Sequence, residues 1–223
     1  MPGWPADAAE LDRVQAALAT AAPAPWRPGD QAPAVGGVFA CFARGQAGPG
    51  ARGDPAWAAA ATGTAAVAVV RGAAGAPYRA GRLALREGPL LEAAVRALAA
   101  RPDVLLVDAT GRDHPRRGGV ALHLGAVLDL PTVGVTHRPL LARGTWPGPE
   151  RGAASPLVLD GEPVGAWVRV AARRRPLAVH AAWRTDVATA VAVVLTATGR
   201  ARTPEPLRRA RRAARTARAR DGG

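Results

Sequence analysis

Hydrophobic positions in the first hundred residues recur with two different periods, and each period predicts a different kind of element. In residues 8–21, Leu11, Val14 and Leu18 recur at helical spacing, which predicts an amphipathic helix. Short apolar runs bounded by Gly and Pro are typical of strands, and the Gly-rich segment 45–57 interrupts them. The predicted elements are a helix at 8–21, strands at 34–42, 64–71 and 78–85 in an antiparallel meander, and a helix at 88–100 with Pro89 in its first turn.

The second half of the chain alternates between short apolar strands and helices. The strand at 103–109 is almost entirely apolar, and a helix at 118–129 links it to another apolar strand at 131–136. Strands of this composition, joined by a helix, are typically parallel and buried on both faces of a sheet. The other predicted elements are a hairpin of 155–160 and 165–171 around Gly161, a strand at 177–181, and helices at 185–198 and 205–220.

Together these elements predict one α/β domain. Its mixed central sheet begins as an antiparallel meander, continues as a parallel β-α-β unit, and is flanked by helices. We expect the domain to span residues 1–200 and to be followed by an Arg-rich C-terminal helix or tail over residues 201–223.

The charge distribution bears on the partner. The formal net charge is +13, and all 30 basic residues are Arg because the sequence contains no Lys. Residues 200–223 carry nine Arg against Glu205 and Asp221, a net +7, which leaves +6 for the rest of the chain. A positive body favours a polyanionic partner, whereas the tail by itself is equally compatible with a solvated helix.

Other features exclude several classes of protein. The apolar runs end well before the roughly 18 residues of a membrane span, and a signal-peptide pattern is missing, so we expect a soluble, cytoplasmic protein without a membrane partner. Cys41 is the only cysteine, which excludes an internal disulfide and a thiolate zinc cluster. We also expect a monomer.

Two acidic residues follow predicted strands. Asp108 lies at the end of an apolar strand, and the carboxyl ends of parallel strands form the usual binding crevice of such sheets. Glu87 follows the predicted strand 78–85 and can converge on Asp108 if the meander lies beside the parallel strands. Paired carboxylates are suitable ligands for Mg²⁺, so the sequence predicts a magnesium site here.

The loop after Asp108 carries three further candidates. His114 can transfer a proton or contact phosphate, and Arg116 and Arg117 can clamp phosphate oxygens. By spacing alone, a loop held by salt bridges is the favoured interpretation of these residues, and an active site is the alternative.

Three segments carry a resemblance to a known family. Residues 105–135 contain an Asp, an H-P-R-R loop, a helix and a G-V strand, residues 77–87 contain P-Y and R-E, and residues 203–208 contain P-E-P-x-R. In order and spacing, over roughly residues 10–210, these motifs resemble endonuclease V, the deoxyinosine-directed nuclease. The resemblance implies a ribonuclease-H-like fold and cleavage of DNA or RNA that contains a deaminated purine, with Mg²⁺ or Mn²⁺ as cofactor.

The resemblance also implies roles for individual residues. Asp108 matches a metal-binding Asp, and Glu87 matches the acidic catalytic residue that completes the metal cluster. His114, Arg116 and Arg117 match the loop beside the metal, with His114 among the catalytic candidates.

A second group of matched residues implies recognition of the altered base. Pro77 and Tyr78 match the wedge that separates the strands, a role that aromatic stacking can perform. Gly81 and Gly111 match glycines near the base pocket, where the absence of a side chain permits close approach of the backbone.

The chain departs from the family at several positions. Phe39 stands where the family has a metal-binding Asp, and Trp183 stands where a metal-binding His is expected. Asp186 follows three residues later and is a possible substitute ligand on a helix. His137 or Arg138 offers positive charge where the family has a Lys, with a different geometry.

These departures affect the chemistry more than the fold. Replacing a ligand carboxylate by a phenyl ring removes charge and an oxygen, so we expect weakened metal binding and impaired cleavage. Three hypotheses remain open: a relative that binds nucleic acid without cleaving it, an active Mg²⁺-dependent endonuclease nicking 3′ to the lesion through a substitute ligand, and a structural remnant with neither activity.

Overall fold

The computed structural model describes residues 3–43, 50–63 and 66–222. Within them, one mixed sheet contains the strands β1 (Val35–Phe42), β2 (Pro55–Thr62), β3 (Ala66–Ala73), β4 (Val104–Val107), β5 (Thr132–Thr136), β6 (Ala154–Leu159), β7 (Glu162–Val168) and β8 (Leu177–Ala181). The described helices are α1 (Ala8–Thr20), α2 (Leu83–Arg96), α3 (Val120–Leu128), α4 (Val187–Thr196) and α5 (Glu205–Arg220).

The order of the strands across the sheet is β3-β2-β1-β4-β5-β8-β7-β6. β3, β2 and β1 form an antiparallel meander, and β1, β4 and β5 run parallel at the centre. β8, β7 and β6 complete the sheet with antiparallel pairing. The predicted mixed α/β class is therefore confirmed, and the carboxyl ends of three central strands lie at one edge of the sheet.

Helices cover both faces of the sheet, and the side chains of β4 alternate between two cores. Val107 packs in a cluster with residues of α2 and α3, whereas Leu106 packs with Val193 of α4 and Leu207 of α5. All four residues of β4 are buried, as expected for a strand covered on both faces. None of the described helices is both long and apolar enough to cross a membrane.

Most of the elements predicted after residue 100 are confirmed. β6 and β7 form the predicted hairpin with Asp160 and Gly161 between them, and α5 begins and ends at the predicted residues. The β-α-β unit of β4, α3 and β5 is also present.

The strand β2 was missed, because residues 45–57 were interpreted as an interruption. Five of its eight residues are Ala, a residue with low β propensity, so local preference does not indicate a strand. Tertiary packing overrides that preference: β2 is buried along almost its whole length between α2 and α5, where small side chains allow close packing. The strand predicted at 64–71 corresponds to β3, and its residues 64 and 65 lie outside the described residues.

The strand predicted at 78–85 is wrong. Residues 78–82 form a loop, and α2 begins at Leu83, earlier than the predicted start at residue 88. Pro89 consequently lies inside α2 rather than in its first turn. Pro89 cannot donate the helical hydrogen bond to the carbonyl of Leu85. The carbonyl of the next residue, Arg86, accepts from the backbone N–H of Gly75 at 3.0 Å, which ties this part of α2 to the loop after β3.

The C-terminal helix α5 lies directly on the sheet. Its buried face includes Leu207, Ala210 and Ala214, and its first turn packs against β1 at Gly37. A Cβ atom on Gly37 would lie 2.5 Å from the backbone of Leu207, so only glycine allows this approach. The Arg-rich face of α5 is thereby positioned above the carboxyl ends of β1 and β4.

Candidate active site

Asp108 follows directly after β4, next to the parallel strand β1. Val107 pairs with Val38, and the backbone N–H of Asp108 points to the carbonyl of Val38 at 3.5 Å. Because side chains alternate along a strand, Asp108 faces the same side as Leu106, which is the side covered by α5. The carboxylate therefore lies where the sequence placed it, at the carboxyl edge of the sheet.

The guanidinium group of Arg211 in α5 binds this carboxylate through two nitrogens. Its Nε donates to Oδ2 of Asp108 at 3.0 Å and its Nη2 to Oδ1 at 2.8 Å. The side chains are only 14% and 21% exposed, so solvent screens the pair weakly. A bidentate charge-assisted pair of this kind neutralises Asp108 and occupies both of its oxygens.

Phe39 of β1 faces the same helix. Its ring centroid lies 5.8 Å from Cζ of Arg211 and 5.3 Å from Cζ of Arg215, distances at which a guanidinium is attracted to an aromatic face. Phe39 also packs near Cys41 and Ala214. The position beside Asp108 thus carries an apolar ring that supports cations from α5.

Glu87 lies in α2 rather than after a strand, which corrects the basis on which it was placed near Asp108. Its pKa is raised to about 8, chiefly by burial and also by the negative charge of Asp108, while the charge of Arg86 opposes the rise. Although the residue keeps partial solvent exposure, its carboxyl group is surrounded by protein atoms. At neutral pH this group is mostly protonated.

Glu87 predicts a specific pH dependence of stability. Its folded-state pKa lies above its ordinary value of 4.5, so the folded protein binds this proton more tightly than the unfolded chain. The free energy of unfolding should therefore fall by an amount on the order of 5 kcal/mol as pH rises from 4.5 to about 8. Urea unfolding of wild type and Glu87→Gln across this range measures the effect.

The difference between these two proteins isolates Glu87. Burial lowers the pKa of His114, His123 and His180, and these groups make stability rise with pH in both proteins. Identical pH profiles for wild type and Glu87→Gln would show that Glu87 titrates normally.

A cavity of about 190 Å³ lies beside Asp108. Tyr78, Gly81, Asp108 and His114 all line it, so four of the predicted site residues converge. Tyr78 is 46% exposed at its mouth, and the adjacent Pro77 is also exposed. The cavity can therefore accept a flat group from solvent with an aromatic ring at its entrance.

Hydrogen bonds to the backbone hold the ring of His114 in one neutral tautomer. Its Nδ1 accepts from the backbone N–H of Arg116 at 3.2 Å, so its Nε2, 3.1 Å from the carbonyl of Gly81, carries the proton and donates. Burial lowers the pKa of His114. The ring is therefore neutral at pH 7, with both nitrogens engaged by the backbone.

The two arginines after His114 contact protein acceptors. Arg116 donates to Oε1 of Gln15 at 2.6 Å and to the carbonyl of Gly81 at 2.9 Å. Arg117 donates to the carbonyl of Leu159 and forms a salt bridge with Asp160. Both guanidinium groups hold the loop to its neighbours, which matches the salt-bridged interpretation.

The remaining predicted residues lie around the cavity. A Cβ on Gly111 would meet the carbonyl oxygen of Ala181 at 2.2 Å, so Gly111 allows this loop to pack on β8. His137 and Arg138 belong to the loop after β5. They line a separate groove, which lies on the other side of that loop from the cavity.

Comparison with known proteins identifies the family. The family model of endonuclease V matches residues 31–212, which is most of the chain. The chain belongs to the endonuclease V family. Endonuclease V of Nocardia farcinica is 44% identical over 159 residues, covering 70% of this chain and 69% of that protein. The matched regions of other endonuclease V sequences span 58–60% of their length.

Solved structures agree with this assignment. The crystal structure of endonuclease V from Streptomyces avermitilis has a TM-score of 0.87 and 33% identity, covering 100% of this chain and 98% of that one. Endonuclease V of Ciona intestinalis, solved with a 24mer DNA containing an inosine followed by a ribo-adenosine, shares the fold with a TM-score of 0.76 and 21% identity, covering 95% and 97% of the two chains.

The endonuclease V resemblance implied a lost ligand at Trp183 and a substitute at Asp186, and the structure corrects both. The backbone of Trp183 is bonded to Thr132, the first residue of β5, whereas Asp108 lies at the opposite end of the parallel strands. Asp186 caps α4 by accepting from the N–H of Thr189, and it pairs with Arg27 at 2.6 Å. Neither residue contributes to the edge where Asp108 lies.

The donor set at Asp108 does not fit the divalent cation that the resemblance implies. Among the described residues, no group of three His, Cys, Asp or Glu side chains is arranged to hold a metal ion. Asp108 gives both oxygens to Arg211, and Phe39 provides no oxygen. A guanidinium instead supplies the positive charge at this position.

Two residues of this site were missed in the sequence. Arg211 lies one helical turn after Leu207, so the apolar stripe of the last helix already indicated that Arg211 is directed toward the sheet. Asp113 is fully buried and accepts from the backbone N–H groups of Leu140, Leu141 and Ala142 at 2.6–2.8 Å. No local pattern indicates these long-range contacts of Asp113.

Proposed function

We propose that this protein binds inosine-containing DNA or RNA through the endonuclease V fold and that its metal-dependent phosphodiester cleavage is impaired. The observation that carries the proposal is the bidentate pair between Arg211 and Asp108, with Phe39 beside it. The pair leaves the central carboxylate neutralised within the cavity that would receive the substrate.

Family membership and charge support a nucleic-acid partner. The chain carries a formal net charge of +13, and α5 presents several arginines along a groove that includes Arg208, Arg212 and Arg215. The inosine-containing DNA bound by the Ciona relative makes a deaminated purine the base to test first. Tyr78 at the mouth of the cavity offers a ring on which an extruded base can stack.

Impaired cleavage follows from the electrostatics of the same cavity. Metal-assisted hydrolysis needs a cation that activates water and stabilises the leaving oxygen. Arg211 can attract phosphate, but a guanidinium does not deliver a metal-activated hydroxide. Glu87 is largely protonated at neutral pH and binds a cation poorly in that state.

The test measures binding and cleavage separately on the same substrates. Wild type should bind an inosine-containing single strand equally in Mg²⁺ and in EDTA, with affinity falling steeply as salt rises. Tyr78→Ala should weaken this binding roughly tenfold, and Tyr78→Phe should not, because the stacking surface is retained. Fluorescence anisotropy of labelled DNA and RNA reports both results.

Cleavage of the same labelled strands and of a duplex, with Mg²⁺ and then Mn²⁺, is the second measurement. Wild type is expected to cleave no faster than Asp108→Ala. Cleavage by wild type that disappears in Asp108→Ala would overturn the claim of impairment. If wild type shows no salt-sensitive binding of any strand, the claim of a nucleic-acid partner is overturned.

A further inference from the structure

A second groove, of about 640 Å³, lies on the far side of the loop that follows β5. We call it the Trp146 groove. Its lining includes two tryptophans, one histidine and three arginines: His137, Arg138, Trp146, Trp167, Arg175 and Arg202. It is open to solvent, and its size is within the range of small-ligand sites.

The aromatic part of the Trp146 groove is a supported platform. Trp146 is 54% exposed, the most exposed large hydrophobic side chain among the described residues. Its ring meets the buried Trp167 edge-on, with centroids 6.2 Å apart and planes at 74°. Nε1 of Trp167 donates to the carbonyl of Gly144 at 3.1 Å, which anchors that ring. An exposed indole held in place in this way is costly to leave in water and is suited to stacking.

The cationic part of the groove consists of Arg138, Arg175 and Arg202. Among the described residues, no salt bridge involves Arg138, Arg175 or Arg202. Arg202 is held by the carbonyls of Arg175 and Pro176 at 2.7 and 2.8 Å, so its position is fixed by neutral acceptors. Cζ of Arg175 lies 6.0 Å from the ring centroid of Trp146. Burial lowers the pKa of Arg202, and the positive charges of Arg175 and Arg211 lower it further.

The Trp146 groove lies next to the cavity beside Asp108. Thr136 and Leu140 line that cavity, whereas His137, Arg138 and Pro139 between them line the groove. One short loop therefore separates the two spaces. A chain that places one base in the cavity can extend across this loop without leaving the protein surface.

We propose that the Trp146 groove binds the single-stranded flank of the nucleic acid, with a base stacked on Trp146 and phosphates held by Arg138, Arg175 and Arg202. The inference rests on the proposed function, because it extends the path of a strand already bound beside Asp108. Aromatic rings interleaved with arginines form the kind of surface that binds single strands without reading their sequence.

The experiment compares strands that carry inosine near one end with strands extended by several nucleotides on the 5′ or the 3′ side. Extension on one side should tighten wild-type binding about tenfold, and Trp146→Ala should remove the part of that gain that base stacking contributes, leaving only the smaller part from phosphate contacts. Trp146→Phe should retain most of the gain. An abasic extension, which keeps the phosphates but lacks bases, should give wild type no more gain than Trp146→Ala shows with the normal extension.

Charge is tested separately. Arg175→Gln should reduce the slope of log affinity against log salt by about one for the extended strand only. Arg13→Gln, which removes an exposed charge from α1, serves as the matched control and should leave the gain from extension unchanged.

The outcomes distinguish the two proposals. If short strands bind, but extension tightens binding equally in wild type and in Trp146→Ala, the groove is not the flank site. Competition by poly-glutamate as effective as that by the oligonucleotide would likewise overturn base stacking there. If wild type binds none of the strands, the proposed function itself fails.

Discussion

Phe39→Asp alone is expected to leave the protein without cleavage, whereas Phe39→Asp combined with Arg211→Ala is expected to create it. In the single variant, Arg211 still holds Asp108 and, together with Arg215, neutralises the new carboxylate as well. Removing Arg211 frees Asp108, so that two ionised carboxylates meet beside Glu87. The Mg²⁺- or Mn²⁺-dependent rate should then rise about a hundredfold or more, since a bound metal contributes several kcal/mol of transition-state stabilisation.

The measurement is the nicking rate on an inosine-containing strand, together with Mn²⁺ affinity by titration calorimetry. Phe39→Asn combined with Arg211→Ala is the matched control, because it changes size and polarity without adding charge. Adding Asp108→Ala to the active variant should abolish the gain. Equal activity of Phe39→Asp with and without Arg211 would show that Arg211 does not block the site.

Asp113→Ala is expected to cause the largest loss of stability of any single change considered for this site. Asp113 is fully buried, and its oxygens accept the N–H groups of Leu140, Leu141 and Ala142. Alanine would leave three backbone donors without this acceptor, one of them in a buried contact and two in partly buried contacts. Each such donor costs about 1–3 kcal/mol, so the free energy of unfolding should fall by about 3 kcal/mol or more.

Urea unfolding and thermal melting measure this change. Asp113→Asn should lose less stability than Asp113→Ala, because one side-chain oxygen remains to accept a hydrogen bond. Asp160→Ala, which removes an exposed Asp in the neighbouring hairpin, is the control. Because Leu140 belongs to the wall between the cavity and the Trp146 groove, Asp113→Ala should also weaken binding of the extended strand below its melting temperature. Stability within about 0.5 kcal/mol of wild type would refute the role of Asp113.

The fold was predictable where burial produces a strong pattern. β4, α3 and β5 follow one another as short apolar runs separated by a helix, and their order and direction were predicted correctly. β2 was not predictable, because its alanines carry little preference and become a strand only between α2 and α5. The start of α2 was missed because Leu83 and Leu85 match the alternation of a strand as well as the first turn of a helix.

The candidate site was predictable as a set of positions but not as a set of contacts. The cavity gathers Tyr78, Gly81, Asp108 and His114, which the motifs had singled out. Trp183 and Asp186 were placed there by motif matching alone, and both lie elsewhere. The register of β8 against β5 places both residues at the opposite end of the strands from Asp108. This register depends on pairing between strands that are distant in sequence.

The sequence by itself determined the class of fold, the family motifs, the acidic residue after β4 and the apolar residue at position 39. Each of these is a local property of residue type and spacing. Only the tertiary structure decided that Arg211 binds Asp108, that Asp113 holds the loop after β5, and that Trp146 shares a groove with Arg138, Arg175 and Arg202. Such contacts join residues that lie far apart along the chain, and their energy comes from burial and mutual geometry, which residue spacing does not encode.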